Sequence, residues 1–113
     1  MAIKQPEKVF ASYVVDLMQS MGPVRWQRMF GGFGLFLEDL MFALIADNVL
    51  YLKVDAALRS EFEESGLRAF SYRKNGKEYR MSYFQAPEET LEDAESMNLW
   101  AAKAYGAALR AAA

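Results

Sequence analysis

The sequence predicts an α+β domain of order α-β(3)-α-β(2)-α, in which helices pack against an antiparallel sheet. Two observations predict this class. Apolar residues near both ends of the chain recur at spacings of three and four, which is typical of amphipathic helices. Between them, short apolar runs are separated by two-residue polar turns, which is typical of antiparallel strands. Because no linker or repeat interrupts the chain, we predict one domain over residues 1–113.

The first helix is predicted from about Gln5 to Met21. Gly22 and Pro23 follow it, and a glycine with a proline behind it commonly ends a helix. We expect its apolar stripe to face the core. The stripe comprises Phe10, Tyr13, Val14, Leu17 and Met21.

Three strands joined by tight polar turns are predicted next. The strands are Phe33–Leu37, Met41–Ala46 and Val49–Val54, and the turns are Glu38-Asp39 and Asp47-Asn48. Both faces of this meander are apolar, so we expect helices on one face and partial cover on the other. A homodimer is one way to provide that cover. The residues that it would bury are Phe36, Phe42 or Leu44.

Two more helices and a hairpin complete the order. Asp55 is a predicted N-cap for a helix from Ala56 to Ser65, and the last helix is predicted from about Asp93 to Ala112. The hairpin strands are Ala69–Arg73 and Lys77–Phe84, joined by the dipeptide Asn75-Gly76. Asn-Gly between two such runs is the strongest short hairpin signal, because both residues tolerate a positive φ.

Two absences restrict the chemistry. The chain has no cysteine and no histidine, which excludes disulfides, thiolate nucleophiles, Ser-His-Asp hydrolysis and zinc sites built on those residues. Carboxylate-only Mg²⁺ or Ca²⁺ sites survive, but the acidic residues stand singly at turns and caps, where backbone hydrogen bonding explains them. We therefore predict no enzyme, no catalytic residue, no metal ligand and no cofactor.

The N-terminus lacks the basic start and the uninterrupted apolar stretch of a signal peptide, and the longest apolar runs are too short to span a bilayer. We therefore expect a cytoplasmic protein without membrane contact. The net charge of −2 argues against a domain that wraps nucleic acid by bulk electrostatics, although a local basic patch stays open.

The first candidate site is the glycine-rich run at residues 25–34. The predicted interaction residues are Arg25, Trp26, Arg28, Gly31, Gly32 and Gly34. The glycines imply unusual backbone angles or a close approach to another segment, but they lack the spacing of a phosphate-binding loop. We favour a glycine-rich bend and bulge that lead into a strand. The two arginines present guanidinium groups to an anion or acidic partner, or else cover apolar surface with their stems.

The second candidate site is basic. Five positive charges gather on the second hairpin, and aromatic residues interleave with them. These charges belong to Arg68, Arg73, Lys74, Lys77 and Arg80. Cations and exposed aromatics together contact single-stranded nucleic acid through phosphate pairing and base stacking. In a hairpin, alternate aromatics are more often a buried face and the charges a solvated one, so both interpretations stay open.

The run VRWQRMFGGFGLF at residues 24–36 resembles the signature that opens the N-terminal domain of the TfoX/Sxy family. Later segments stand where that pattern expects them: MFALIAD at 41–47, LYLK at 50–53, FSY at 70–72, and SYF at 82–84 followed by Pro87 and Glu88. The resemblance covers roughly residues 8 to 110.

The resemblance implies a fold like that of secretion chaperones. It also implies a family of regulators of natural competence, whose full-length members promote transcription of DNA-uptake genes together with a cyclic-AMP receptor protein. Those regulators carry a second, C-terminal domain with helix-hairpin-helix character. We expect this chain to be the stand-alone N-terminal domain.

We therefore predict a non-enzymatic regulatory domain that binds a protein partner through its sheet or its glycine-rich loop. The resemblance implies transcription machinery or a regulator as that partner. Two alternatives stay open. One is nucleic-acid contact through the Arg68–Arg80 hairpin, and the other is a small-molecule-binding domain or a carboxylate-based enzyme.

Overall fold

A computed structural model of the protein describes residues 6–29 and 31–113. Its elements are α1 (Pro6–Leu17), β1 (Arg25–Met29), β2 (Gly32–Leu37), β3 (Leu40–Ala46), β4 (Val49–Lys53), α2 (Ala56–Glu64), β5 (Ala69–Lys74), β6 (Lys77–Gln85) and α3 (Ala94–Ala112). Short 3₁₀ turns lie at Gln19–Met21 and Glu88–Leu91. The α+β class and the helix–strand order are confirmed. None of the described helices is both long and apolar enough to cross a membrane.

The six strands form one antiparallel sheet in the order β1-β2-β3-β4-β6-β5. The predicted two-residue turns are confirmed by left-handed φ angles of 52° and 65° at Glu38 and Asp39, and of 51° and 59° at Asp47 and Asn48. Such angles match the turn to the twist of the flanking strands. The hairpin turn at residues 75–76 is of the same kind, with φ angles of 55° and 78°.

The strand β1 was not predicted from the sequence. Its residues pair in register with β2, from Arg25 opposite Phe36 to Met29 opposite Gly32. Four of its five residues are exposed, so no apolar alternation marks it as a strand. The glycine-rich bend predicted over this stretch is therefore confined to the connection between β1 and β2.

The first helix differs from its predicted bounds. Its predicted start at Gln5 lies outside the described residues, and it ends at Leu17, with Met21 in the following 3₁₀ turn. Val14 of the predicted stripe is fully buried, and Phe10, Leu17 and Met21 pack against the core, whereas Tyr13 is exposed. The predicted stripe is therefore confirmed except at Tyr13.

The main core lies between the sheet and the three helices. Phe62 of α2 is fully buried, with its ring 5.4 Å from Trp100 of α3 and 6.0 Å from Phe84 of β6. The expectation that Phe42 and Leu44 stand uncovered is wrong, because both are fully buried, Phe42 in this core and Leu44 in a second cluster formed by strand residues. The register explains the position of Phe42: Leu35 pairs with Ala43 but Phe36 pairs with Met41, so an extra residue in β3 turns both Phe42 and Ala43 to the core.

Candidate functional site

The described helices pack on one face of the sheet, and a second apolar cluster lies on the other. All members of the second cluster belong to strands. Its buried residues are Leu44, Phe70 and Tyr83, with Met41, Ala46, Tyr51, Tyr72 and Met81 packed against them. Strand pairing and alternation add Arg25, Gln27, Met29, Gly34, Phe36, Val49, Lys53, Lys74, Lys77, Tyr79 and Gln85. We call this surface the open face.

Methionines divide between the core and the open face. Met18 and Met97 are fully buried in the core, whereas Met29, Met41 and Met81 lie on the open face and are half-buried. The methionine side chain is unbranched and polarizable, and it adapts to irregular partners. Three methionines on one sheet face therefore give a surface that suits an apolar protein segment.

Gly34 leaves room for two of these methionines, Met29 and Met41, to pack over its backbone. A β-carbon at this position would lie 2.6 Å from Sδ of Met29 and 3.2 Å from Sδ of Met41. It would also lie 3.1 Å from the ring of Phe36. The side chains of Met29, Met41 and Phe36 therefore occupy the space that a side chain at residue 34 would need.

A row of aromatic rings crosses the other half of the open face. The ring centroids of Tyr51 and Phe70 are 4.9 Å apart, those of Phe70 and Tyr72 are 6.1 Å apart, and those of Tyr72 and Tyr79 are 5.5 Å apart. The last two pairs are stacked, with interplanar angles of 24° and 25°. Phe70 is buried in this row, and Tyr51 and Tyr72 are half-buried. Tyr79 ends the row and is 42% exposed.

The cations of the open face lie at one end of the sheet. This cationic end comprises Arg25 at the start of β1, Lys53 at the end of β4, and the pair Lys74 and Lys77 at the hairpin turn. The Arg25 guanidinium carbon lies 4.5 Å from the centre of the Phe36 ring, and the Lys53 ammonium lies 5.3 Å from that of Tyr83. Among the described strand residues that alternate onto the open face, none is acidic.

The acidic groups nearest to this face stand in its turns. Asp39 Oδ1 lies 3.2 Å from Nη2 of Arg25 in an exposed ion pair. Burial, with a smaller contribution from the Asp47 carboxylate, raises the pKa of Tyr51. Burial raises the pKa of Tyr83 to about 12. Both phenols are therefore neutral near pH 7, and they add no negative charge to the open face.

The structure separates the predicted residues of the glycine-rich run. Arg25 lies on the open face, whereas Trp26 and Arg28 pair with Leu35 and Phe33 on the helix side. There the Trp26 ring lies 5.7 Å from the Phe33 ring, and the Arg28 guanidinium carbon lies 4.8 Å from its centre. These contacts agree with the interpretation that arginine stems and rings cover apolar surface.

The three predicted glycines have three different roles. Gly31 has a φ of 75° in the turn between β1 and β2, a conformation that favours glycine. Gly32 lies against β3, where a β-carbon would stand 1.9 Å from the Ile45 carbonyl oxygen. Gly34 opens space on the open face. Backbone conformation and packing thus account for all three glycines.

The structure also divides the five cations of the hairpin. Lys74 and Lys77 pair with each other on the open face, next to the stacked pair Tyr72 and Tyr79. Alternation places Arg73 and Arg80 on the opposite face, and Arg68 precedes β5. Sequence reasoning missed Lys53 and Tyr51 as members of the surface. The alternation of Leu50, Tyr51, Leu52 and Lys53 is the signal that identifies them.

A cleft of about 340 Å³ lies between α2 and the hairpin, on the helix side. Arg59 and Glu63 line it from α2, and Arg80, Ser82 and Phe84 from β6. Arg59 Nη1 stands 3.9 Å from Oε2 of Glu63, so part of its positive charge is already balanced. Within residues 6–29 and 31–113, no group of three or more carboxylates is placed to hold a metal ion.

Comparison with known proteins agrees with the sequence resemblance. Residues 16–108 match the family model described as the TfoX N-terminal domain. The chain is also similar to the DNA transformation protein TfoX1 of Aliivibrio fischeri, with 34% identity over 73 residues. That match covers 65% of this chain and 35% of the relative, so it spans about a third of the relative's length.

Proposed function

Because the chain belongs to the TfoX N-terminal domain family, we propose that it is a non-enzymatic regulatory domain in DNA transformation that binds a protein partner on its open face. The observation that carries the proposal is the apolar sheet face that the described helices leave uncovered. Such a face, lined by methionine and aromatic side chains, is typical of protein interaction sites. The role in DNA transformation is proposed from the name of the relative, DNA transformation protein TfoX1.

The proposal is tested in the source organism with a strain that lacks the gene. Tyr79 and Met81 project from β6 on the open face, so the double variant Tyr79→Asp with Met81→Asp places charge where the partner binds. Leu99→Asp is the control, because Leu99 is an exposed apolar residue of α3, 57% accessible, on the helix side of the molecule. Thermal unfolding by circular dichroism checks that both proteins fold.

We expect the wild-type gene and Leu99→Asp to restore the transformation frequency, and the open-face variant to fail. A folded open-face variant that restores it fully would contradict the use of this face. A deletion strain with an unchanged transformation frequency would contradict the role in transformation.

The second candidate function is nucleic-acid contact through the Arg68–Arg80 hairpin. Lys74, Lys77 and the exposed ring of Tyr79 favour it. Two findings weaken it: the hairpin cations divide between two faces, and Phe70 and Tyr72 are buried or half-buried, which leaves Tyr79 as the exposed ring of this row. Fluorescence anisotropy with a labelled single-stranded oligonucleotide tests this function. Binding that falls as salt rises would favour it.

A further inference from the structure

We propose that the partner of the open face is an apolar protein segment that carries carboxylates, with those carboxylates directed to the cationic end. This inference rests on the proposed function and specifies the chemistry of the partner. It follows from the way in which charge and apolar area are separated on the same sheet face.

The apolar part of the surface selects against nucleobases. In the row from Tyr51 to Tyr79 each ring packs beside its neighbour. Base stacking needs exposed rings, and of this row only Tyr79 is exposed, since Phe70 is buried and the other two tyrosines are half-buried. The partly covered rings and the thioethers of Met29 and Met41 instead form favourable contacts with leucine, methionine and phenylalanine side chains.

The charge of the surface selects for carboxylates. The four residues of the cationic end are positive, and no described strand residue on this face is negative. Arg25 already pairs with Asp39, but none of the described carboxylates forms an ion pair with Lys53, Lys74 or Lys77. A partner with acidic groups at this end gains complementary contacts, which fix its orientation as well as its affinity.

The same distribution disfavours a second copy of this chain as the occupant. In a symmetric dimer the two open faces meet, and residues near the symmetry axis contact their own counterparts. Lys53 pairs with Tyr83 across two neighbouring strands and so lies beside the apolar cluster of the open face. Pairing two such faces therefore buries like charges without a carboxylate between them. An acidic partner removes that cost.

The test is a selection of random 16-residue peptides displayed on phage against the immobilised full chain. Selected peptides are synthesised, labelled and measured by fluorescence anisotropy, and their site is mapped by amide chemical-shift changes. The variant Lys74→Glu with Lys77→Glu reverses charge on the open face of the hairpin. The matched control, Arg73→Glu with Arg80→Glu, makes the same change of charge at exposed positions of that hairpin on the opposite face of the sheet.

We expect selected peptides to combine Asp or Glu with Leu, Met or Phe, and to shift amide signals of the open face. The Lys74 and Lys77 variant should bind them about tenfold more weakly, and the control should bind within about twofold of wild type. Added salt should weaken the wild-type complex.

Other outcomes separate this inference from the proposed function. Peptides that bind the open face without acidic residues overturn the inference and leave the proposed function standing. A selection that yields no open-face binder overturns both. A single-stranded oligonucleotide that shifts the same amide signals, or a dimer in sedimentation that buries them, also overturns the inference by identifying another occupant.

Discussion

Arg110 near the end of α3 donates two hydrogen bonds to Asp55, the residue that caps the start of α2. Nε of Arg110 lies 2.6 Å from Oδ2 of Asp55, and Nη2 lies 3.1 Å from Oδ1. The same carboxylate accepts a hydrogen bond from the backbone N–H of Leu58 at 3.2 Å. One side chain therefore caps α2 and ties it to α3. A second link, from Lys103 to Glu61 at 2.7 Å, joins the same two helices.

We expect Arg110→Gln to lower the melting temperature at pH 7 and to lose that effect in acid. The hydrogen bonds from Arg110 are the main cause that lowers the pKa of Asp55 below its ordinary 3.8. A lowered carboxyl pKa gives stability that is present above the unfolded pKa and is lost as the pH falls through the folded one. The melting temperatures of wild type and variant should therefore converge as the pH falls below about 4.

Thermal unfolding by circular dichroism from pH 2 to pH 7 measures this effect. Arg59→Gln is the control, because the ion pair of Arg59 with Glu63 is long and exposed, at 3.9 Å, and its guanidinium carbon lies 5.8 Å from the centre of the Phe84 ring. It should change the melting temperature little at any of these pH values. A deficit of Arg110→Gln that is as large in acid as at pH 7 would show that its partner is not an ionised carboxylate.

The two glycines of β2, Gly32 and Gly34, should differ in their tolerance of a side chain. Gly32→Ala places a β-carbon 1.9 Å from the Ile45 carbonyl oxygen, and this backbone atom moves only if the β2–β3 pairing is disturbed. Gly34→Ala meets Sδ of Met29 at 2.6 Å, the far end of a flexible side chain. We expect a loss of about 3 kcal/mol in the free energy of unfolding for Gly32→Ala and about 1 kcal/mol for Gly34→Ala.

Urea unfolding followed by circular dichroism compares the two alanine variants. Because both change glycine to alanine in the same strand, each serves as the control for the other. Equal losses would show that the approach of β2 to Ile45 is not the constraint at Gly32.

Tyr83→Phe should alter stability at alkaline pH. Burial raises the pKa of Tyr83 to about 12 from an ordinary value of 10.0, so the fold favours the neutral phenol. The stability that this preference supplies is complete below pH 10 and is lost as the pH rises toward 12. The phenylalanine variant has no phenol to ionise, so its melting temperature should fall less steeply over that range.

Ultraviolet absorbance titration of the tyrosines, together with thermal unfolding from pH 9 to pH 11, measures the change. Tyr79→Phe is the matched control on the same strand, because Tyr79 is exposed at the end of the aromatic row. Identical alkaline melting curves for wild type and Tyr83→Phe would contradict the assignment of Tyr83 to a buried position.

Local chemistry explains why most elements were predictable. The turns at Glu38-Asp39, Asp47-Asn48 and Asn75-Gly76 were recognised because few residue types accept a positive φ, and all have that conformation. Asp55 was recognised as a cap from its residue type and its place before the predicted helix, and it accepts a hydrogen bond from the N–H of Leu58 as a cap does. Each of these features depends on residues within a few positions of one another.

Features that depend on distant neighbours were missed or misplaced. The strand β1 exists because Arg25–Met29 pairs with β2, although its own side chains show no apolar alternation. Phe42 is buried because an extra residue in β3 shifts the register against Leu35 and Phe36. A shift of one residue moves a side chain to the other face, and pairing between strands decides it.

The sequence by itself determined the α+β class, the order of the elements apart from β1, the absence of cysteine and histidine, and the resemblance to the TfoX/Sxy family. Tertiary structure decided which residues share a surface. It separated Lys74 and Lys77 from Arg73 and Arg80, and it brought Arg25 and Lys53 to the same end of the sheet. The reason is physical: periodicity fixes local structure, whereas a surface is assembled from strands that only the pairing of the whole sheet places side by side.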